Sequence, residues 1–181
     1  MSKVITFSRN FPAYHPKKGK PTYFVEKVLN DLTEINGVWN HSIYALVDLN
    51  KSNEKITEDF FITILFNYHT LDSKGHTIRE GERWKVGDKF SPRVWSGKPY
   101  YSKQIIIAAD IEIKKIWTFE VDENGVPSLN GKYIGSKLEK EIARNDGLSK
   151  EDFIDWLIMP SFKSGKPFKG QVICWDERIE Y

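Results

Sequence analysis

The stretch KGHTIREGERWKVGD, Lys74–Asp88, decides how this chain is read. It crowds lysine, histidine, threonine, arginine and acid side chains around glycines, with little apolar residue between them. On a regular strand Lys74 and Thr77, three positions apart, would point to opposite faces. They converge only if the segment bends, and Gly75 between them permits a bend. Gly87 and Asp88 read as a β-turn into a following strand. Trp84, just before that turn, and Phe90, just after it, read as core aromatics, with stacking on a base as the alternative.

Toward the C-terminus the pattern is β. GDKFSPRVW, SKQIIIAADIEIKKIWTFEV and GKYI are β-branched and aromatic runs broken by SGKP and DENG turns, which predicts a meander. Two helices follow. Ser136 with Glu139, and Ser149 with Asp152, have the spacing of capping boxes, and the second helix places Phe153, Trp156 and Leu157 on one face. KGQVICWDERIEY supplies a closing strand or strand pair.

Toward the N-terminus, KVITF (Lys3–Phe7) predicts a first strand, and SRNFPAYHPKKGKP is a loop rich in proline and lysine. TYFVEKVLNDL puts Phe24, Val25, Val28, Leu29 and Leu32 on one helical face, with Thr22 as N-cap after Pro21. GVWNHSIYALVDLN and ITEDFFITILFNYHT are apolar enough to be buried, but neither period is decided.

At 181 residues, with 40% hydrophobic and 29% charged side chains, the chain predicts one globular domain, 1–181. A formal net charge of +2 is too small to announce nucleic-acid binding, so any basic surface must be local. Cys174, the single cysteine, excludes a disulfide framework, and its apolar neighbours predict a buried strand thiol. His15, His41, His69 and His76 show no metal-ligand spacing, so neither metal nor cofactor is expected. No apolar run approaches the roughly 18 residues of a membrane span, and the N-terminus lacks a signal-peptide core. The expectation is a cytoplasmic protein with no membrane partner.

In order along the chain, VITFSRNF, KGHTIR, RWKVGD, ARNDGLSKEDFIDWL and FKGQVICW resemble the ASCH domain family, PUA-like proteins that include small bacterial amidohydrolases acting on N4-acetylcytidine. The resemblance covers the first strand and most of Lys74–Trp175. It implies an α+β fold: a PUA-like β-barrel with short flanking helices and a mostly helical N-terminal insertion at about 8–73. It also implies a pocket for a modified pyrimidine nucleoside or RNA base, extending to hydrolysis of an exocyclic amide.

On that resemblance Lys74 and Thr77 match a K-x-x-T-I-R segment as base and nucleophile, and Arg79 matches its closing arginine. Asp146 falls where the family has a glutamate, one methylene longer. As a base Lys74 would need its pKa, ordinarily about 10.4, depressed by burial or by cations such as Arg79 and Arg83.

Each of these residues has a plainer reading beside the chemical one. NDG is a common helix-ending turn, so Asp146 is either that or the partner of Lys74. Lys74 is otherwise a solvated loop lysine, and Thr77 an ordinary strand residue. His76 is a structural histidine or stacks on a substrate. Arg79 contacts a base or phosphate, or pairs with Glu80, Glu82 or Asp88, and Arg83 joins it and His76 as a substrate-binding candidate. Lys17, Lys18 and Lys20, with Lys98 and Lys103 beside Tyr100, form a solvated surface or a strip for an RNA backbone. A non-catalytic single-stranded RNA-binding module and an RNA-cleaving enzyme are the rival functions. The insertion could also carry a protein partner.

Overall fold

The computed structural model describes residues 3–36 and 71–181. The two apolar segments of undecided period, and about half of the expected insertion, lie outside the described residues.

The first strand forms as its β-branched sequence predicts: β1 is Lys3–Phe7, burying Ile5 and Phe7. Helix α1 spans Phe24–Asn36 and buries Phe24, Val25, Val28 and Leu29 along one stripe. Thr22 caps it, its hydroxyl accepting from the Phe24 amide at 3.3 Å. The remaining strands are β2 (His76–Glu80), β3 (Lys89–Trp95), β4 (Gln104–Ile106), β5 (Ile111–Glu112), β6 (Lys115–Val121), β7 (Pro127–Leu129), β8 (Lys132–Tyr133) and β9 (Phe168–Cys174).

These strands do not close a barrel, which corrects the fold implied by the family resemblance. They make two open sheets. One is ordered β1-β3-β4 with β5 also on β3, and β1 runs parallel to β3, Lys3 opposite Phe90 and Phe7 opposite Val94. The other is antiparallel and ordered β2-β9-β6-β7-β8. The expected meander is therefore divided: β3, β4 and β5 belong to one sheet, β6, β7 and β8 to the other.

Two features mark where pairing stops. Pro92 sits mid-strand with its carbonyl accepting from the Ile107 amide at 2.9 Å; lacking an N–H on that same side, it interrupts the ladder where β4 gives way to β5. Between β1 and β2 no strand pairing forms. The Arg79 guanidinium fills that role instead, its Nη2 donating to the Thr6 carbonyl at 2.6 Å.

The sheets meet through aromatic rings. Trp175, just past β9, contacts Phe7 and Phe90 with centroids 6.2 and 5.7 Å away. Trp84 and Phe90 are both buried and meet edge to face, as core aromatics do. β9 is a single strand, paired on both sides in its sheet, and it buries Cys174 as the sequence predicts.

Helix α2 is Ser136–Asn145, followed by a helical run made of α3 (Lys150–Phe153), a π-helical turn (Ile154–Ile158) and α4 (Met159–Ser164). The second capping box forms, with the Ser149 hydroxyl accepting from the Asp152 amide at 3.1 Å. The first does not: Gly135 is the N-cap, and the Ser136 hydroxyl accepts instead from Lys150 Nζ at 2.6 Å. Pro160 explains the π-turn, since a proline ring clashes with the carbonyl four residues back. That carbonyl, of Trp156, accepts from the Tyr14 hydroxyl at 3.3 Å.

Candidate functional site

Lys74 and Gly75 lie immediately before β2, held between three elements. The Lys74 amide donates to the Lys27 carbonyl on α1 at 3.0 Å, and the Gly75 amide to the Asn145 carbonyl at the end of α2 at 3.1 Å. The Gly75 carbonyl accepts from the Trp175 amide, also at 3.1 Å. Close approach is what requires glycine here: a Cβ at position 75 would stand 2.7 Å from Ile179 and 2.9 Å from Asp176.

Asp146 ends α2. Gly147 follows in the left-handed region at φ 74°, its amide bonded to the Arg144 carbonyl and that of Leu148 to the Ala143 carbonyl. This turn presents both the carbonyl and the carboxylate of Asp146 to Lys74, whose Nζ donates to each at 2.5 Å. Asp146 is thus a helix-ending residue and also the partner of Lys74. The ammonium lies 4.3 Å from the centroid of Phe24, and the lysine is only 1% exposed. Burial pushes the Lys74 pKa down to about 8, against the opposing pull of Asp146. Burial likewise raises the Asp146 carboxyl, opposed by Lys74.

His76 is also buried. Its Nε2 is 2.7 Å from the Tyr181 hydroxyl and its Nδ1 3.6 Å from Asp146 Oδ1, a position inside the core rather than one from which to stack on a substrate. Burial and the nearby Lys74 charge hold it neutral. Thr77 is buried on β2, and among the described residues its hydroxyl makes no hydrogen bond to Lys74 or Asp146. Lys74 and Asp146 are therefore brought together and Thr77 is not joined to them, so nothing in this geometry supports the hydrolase chemistry that the resemblance implied.

Arg79 lies two residues beyond Thr77 on β2, near enough to Asp146 and Lys74 for its charge to act on both. Burial lowers its pKa, opposed by Asp146, and its buried Nε has no hydrogen-bond partner. None of Glu80, Glu82 and Asp88 is its ion-pair partner among the described residues. Arg83 is exposed, lying 5.2 Å from the Trp84 ring.

Arg79 contributes to the lining of a cleft of about 860 Å³. Its walls come from the loop before α1, from α1 itself and from the β3–β4 hairpin: Phe11, Tyr23, Glu26, Trp95 and Tyr100. Ligand sites commonly have this size and this mixture of aromatic area with a few placed polar groups. Glu26 is 9% exposed; burial raises its carboxyl pKa, opposed by its own backbone amide and by Arg9 and Lys27. Trp95 and Tyr100 have ring centroids 5.4 Å apart.

Sequence reasoning missed Glu26, Tyr23 and Trp95, which share no motif with one another. A glutamate next to the apolar stripe of α1 was the available signal.

Of the expected basic strip, Lys17 is spent on Asp152 at 2.7 Å. Lys18, Lys20 and Lys103 are exposed, and Lys98 lies 4.5 Å from the Tyr101 ring. No cluster of metal ligands occurs among the described residues, nor any helix long and apolar enough to cross a membrane. Comparison of the chain with family models, with curated proteins and with solved structures finds no match.

Proposed function

We propose that the cleft between the 8–23 loop and the β3–β4 hairpin recognises a modified pyrimidine base, presented as a nucleoside or by single-stranded RNA. The observation that carries this reading is the shared lining: a buried acceptor, Glu26, and a half-buried guanidinium, Arg79, whose Nε has no partner, border one aromatic-walled cleft. A cytosine-type edge offers the complement, an exocyclic N–H for a carboxylate and ring or carbonyl acceptors for a guanidinium. Aromatic walls supply the stacking area that RNA-binding folds use for unpaired bases. The ordered likeness to ASCH segments, among them HTIR with Arg79 at its end, agrees with a base-directed site.

The role is recognition. Lys74, with its ammonium held twice by Asp146, serves to position the end of α2 against the start of β2.

Isothermal titration of cytidine, N4-acetylcytidine and uridine tests the reading. Cytidine or its acetyl derivative should bind, uridine more weakly, and Glu26→Gln should lose roughly tenfold to a hundredfold, as one hydrogen bond to a charged group is worth roughly 1.5–3 kcal/mol. Absence of binding by all three, and by a short oligocytidylate, would end the proposal. Acetate assayed in the same samples would expose turnover.

A further inference from the structure

Three non-glycine residues have positive φ among the described residues: Tyr23 at 57°, Tyr100 at 66° and Asn130 at 49°. Asn130 is ordinary, because Asn130-Gly131 is the two-residue turn between β7 and β8, where asparagine tolerates that conformation. The tyrosines have no such excuse. A bulky side chain in the left-handed region is an outlier, and such outliers gather at functional sites. Both tyrosines border the same cleft, from two different elements.

Each is held by the hydrogen bonds of its neighbours, and the Tyr100 ring also lies against Trp95. Before Tyr23, the Thr22 amide donates to the Arg9 carbonyl at 2.9 Å and its hydroxyl to the Ser8 carbonyl at 2.6 Å. After it, the Tyr23 carbonyl accepts from the Lys27 amide at 3.0 Å, joining it to α1. Around Tyr100 the Lys98 carbonyl accepts from the Tyr101 and Ser102 amides at 3.2 and 3.1 Å, and the Ser102 hydroxyl accepts from the Gly97 amide at 3.0 Å. Tyr100 nevertheless leaves 87% of its surface in water. The Tyr100 ring, strained in its backbone and left in water, contributes little to the core, and Tyr23 is only half-buried; a glycine would satisfy either turn better.

We propose that Tyr23 and Tyr100 form an aromatic clamp that stacks a planar heterocyclic base within the cleft, above the edge contacts of Glu26 and Arg79. This rests on the reading of the cleft as a base site and adds how the ring is held. Stacking needs little sequence information, because every base has a π-face, so the clamp supplies affinity and the polar pair supplies discrimination.

The experiment compares Tyr23→Gly and Tyr100→Gly with Tyr23→Phe and Tyr100→Phe. It uses cytidine by calorimetry, a fluorescein-labelled oligocytidylate by anisotropy, and thermal midpoints. The phenylalanine variants should keep wild-type affinity. The glycine variants should lose roughly tenfold to a hundredfold in affinity, the range for one stacked base, while their midpoints hold or rise as strain is relieved. Glycine variants that bind as tightly as wild type would overturn the clamp and leave the cleft reading intact. Glycine variants whose midpoints fall with their affinity would also overturn it, since the tyrosines would then be holding the fold. Wild type that binds neither probe would overturn clamp and cleft together.

Discussion

Lys74 Nζ donates to two oxygens of Asp146, Oδ1 and the main-chain carbonyl, each at 2.5 Å, from a side chain almost wholly out of water. One contact pairs charges and the other anchors a helix end, so the lysine ties the C-terminus of α2 to the entry of β2. Removing one member of a buried pair leaves the other uncompensated, at a cost of about 3–5 kcal/mol. Lys74→Met should lose about that much stability in urea unfolding, and Lys74→Met with Asp146→Asn should lose less than Lys74→Met alone. Additive single effects would show that the two side chains do not act as a pair.

A second buried acid predicts a pH dependence. Asp31 on α1 accepts from the Trp175 indole at 2.9 Å and lies 3.4 Å from Arg178, which also bonds Asp176 and Glu34. Burial, reinforced by the Asp176 charge and opposed by Arg178 and Trp175, raises the Asp31 pKa from 3.8 to about 7. A carboxyl that binds its proton more tightly when folded contributes stability that is complete below its unfolded pKa and lost as pH rises through the folded one. The wild type should therefore weaken from about pH 4 to about pH 8 through this group. Asp31→Asn, which keeps an acceptor for Trp175, should flatten that slope, seen as a smaller change in the urea midpoint across the window. An unchanged slope would place the titration elsewhere.

What the sequence revealed depended on how local the cause was. The β1 pattern, the apolar stripe of α1 and the buried aromatics Trp84 and Phe90 follow from period and residue type, and they stand in the structure. Ser149 caps its helix because only its neighbours matter, whereas Ser136 lies inside its helix behind the N-cap Gly135 and its hydroxyl accepts from Lys150, fourteen positions away. The division into two sheets was not legible. It turns on β1 finding a parallel partner in β3 and on Arg79 reaching Thr6 across seventy-three positions, neither of which has a local signature. The site divides in the same way. NDG announced Asp146 as a helix end and the likeness to a known motif paired it with Lys74, but the cleft joins Tyr23, Glu26, Arg79, Trp95 and Tyr100 from separate segments.

Two glycines should be intolerant for reasons of space. At Gly170 on β9 a Cβ would stand 2.3 Å from the Arg79 carbonyl oxygen, a backbone atom of the neighbouring strand β2. At Gly75 the nearest atoms belong to the side chains of Ile179 and Asp176. Side chains can shift more cheaply than a strand. Gly75→Ala should cost about 1–3 kcal/mol, the usual range for overpacking, and Gly170→Ala should cost more. Denaturant midpoints give the ranking, and Gly170→Ala being the milder change would contradict the close contact between β2 and β9.

Salt dependence should tell whether the base arrives alone or on a chain. A free nucleoside carries no phosphate, so its binding should hardly respond to ionic strength, whereas a single strand releases counterions in proportion to the phosphates neutralised, with a slope of about −0.7 per contact. Lys18 and Lys20 are exposed in the loop that lines one side of the cleft, and Lys98 is exposed on the hairpin that lines the other. Lys17 is a poor choice for the test, because its removal would strip Asp152 of a 2.7 Å partner and confuse affinity with stability. Replacing Lys18, Lys20 and Lys98 together by alanine should make the log–log slope for oligocytidylate shallower by about 2 and leave cytidine affinity unaltered. An unchanged oligonucleotide slope would show that the strand does not run over these lysines, and a parallel loss of cytidine affinity would show that they shape the cleft itself.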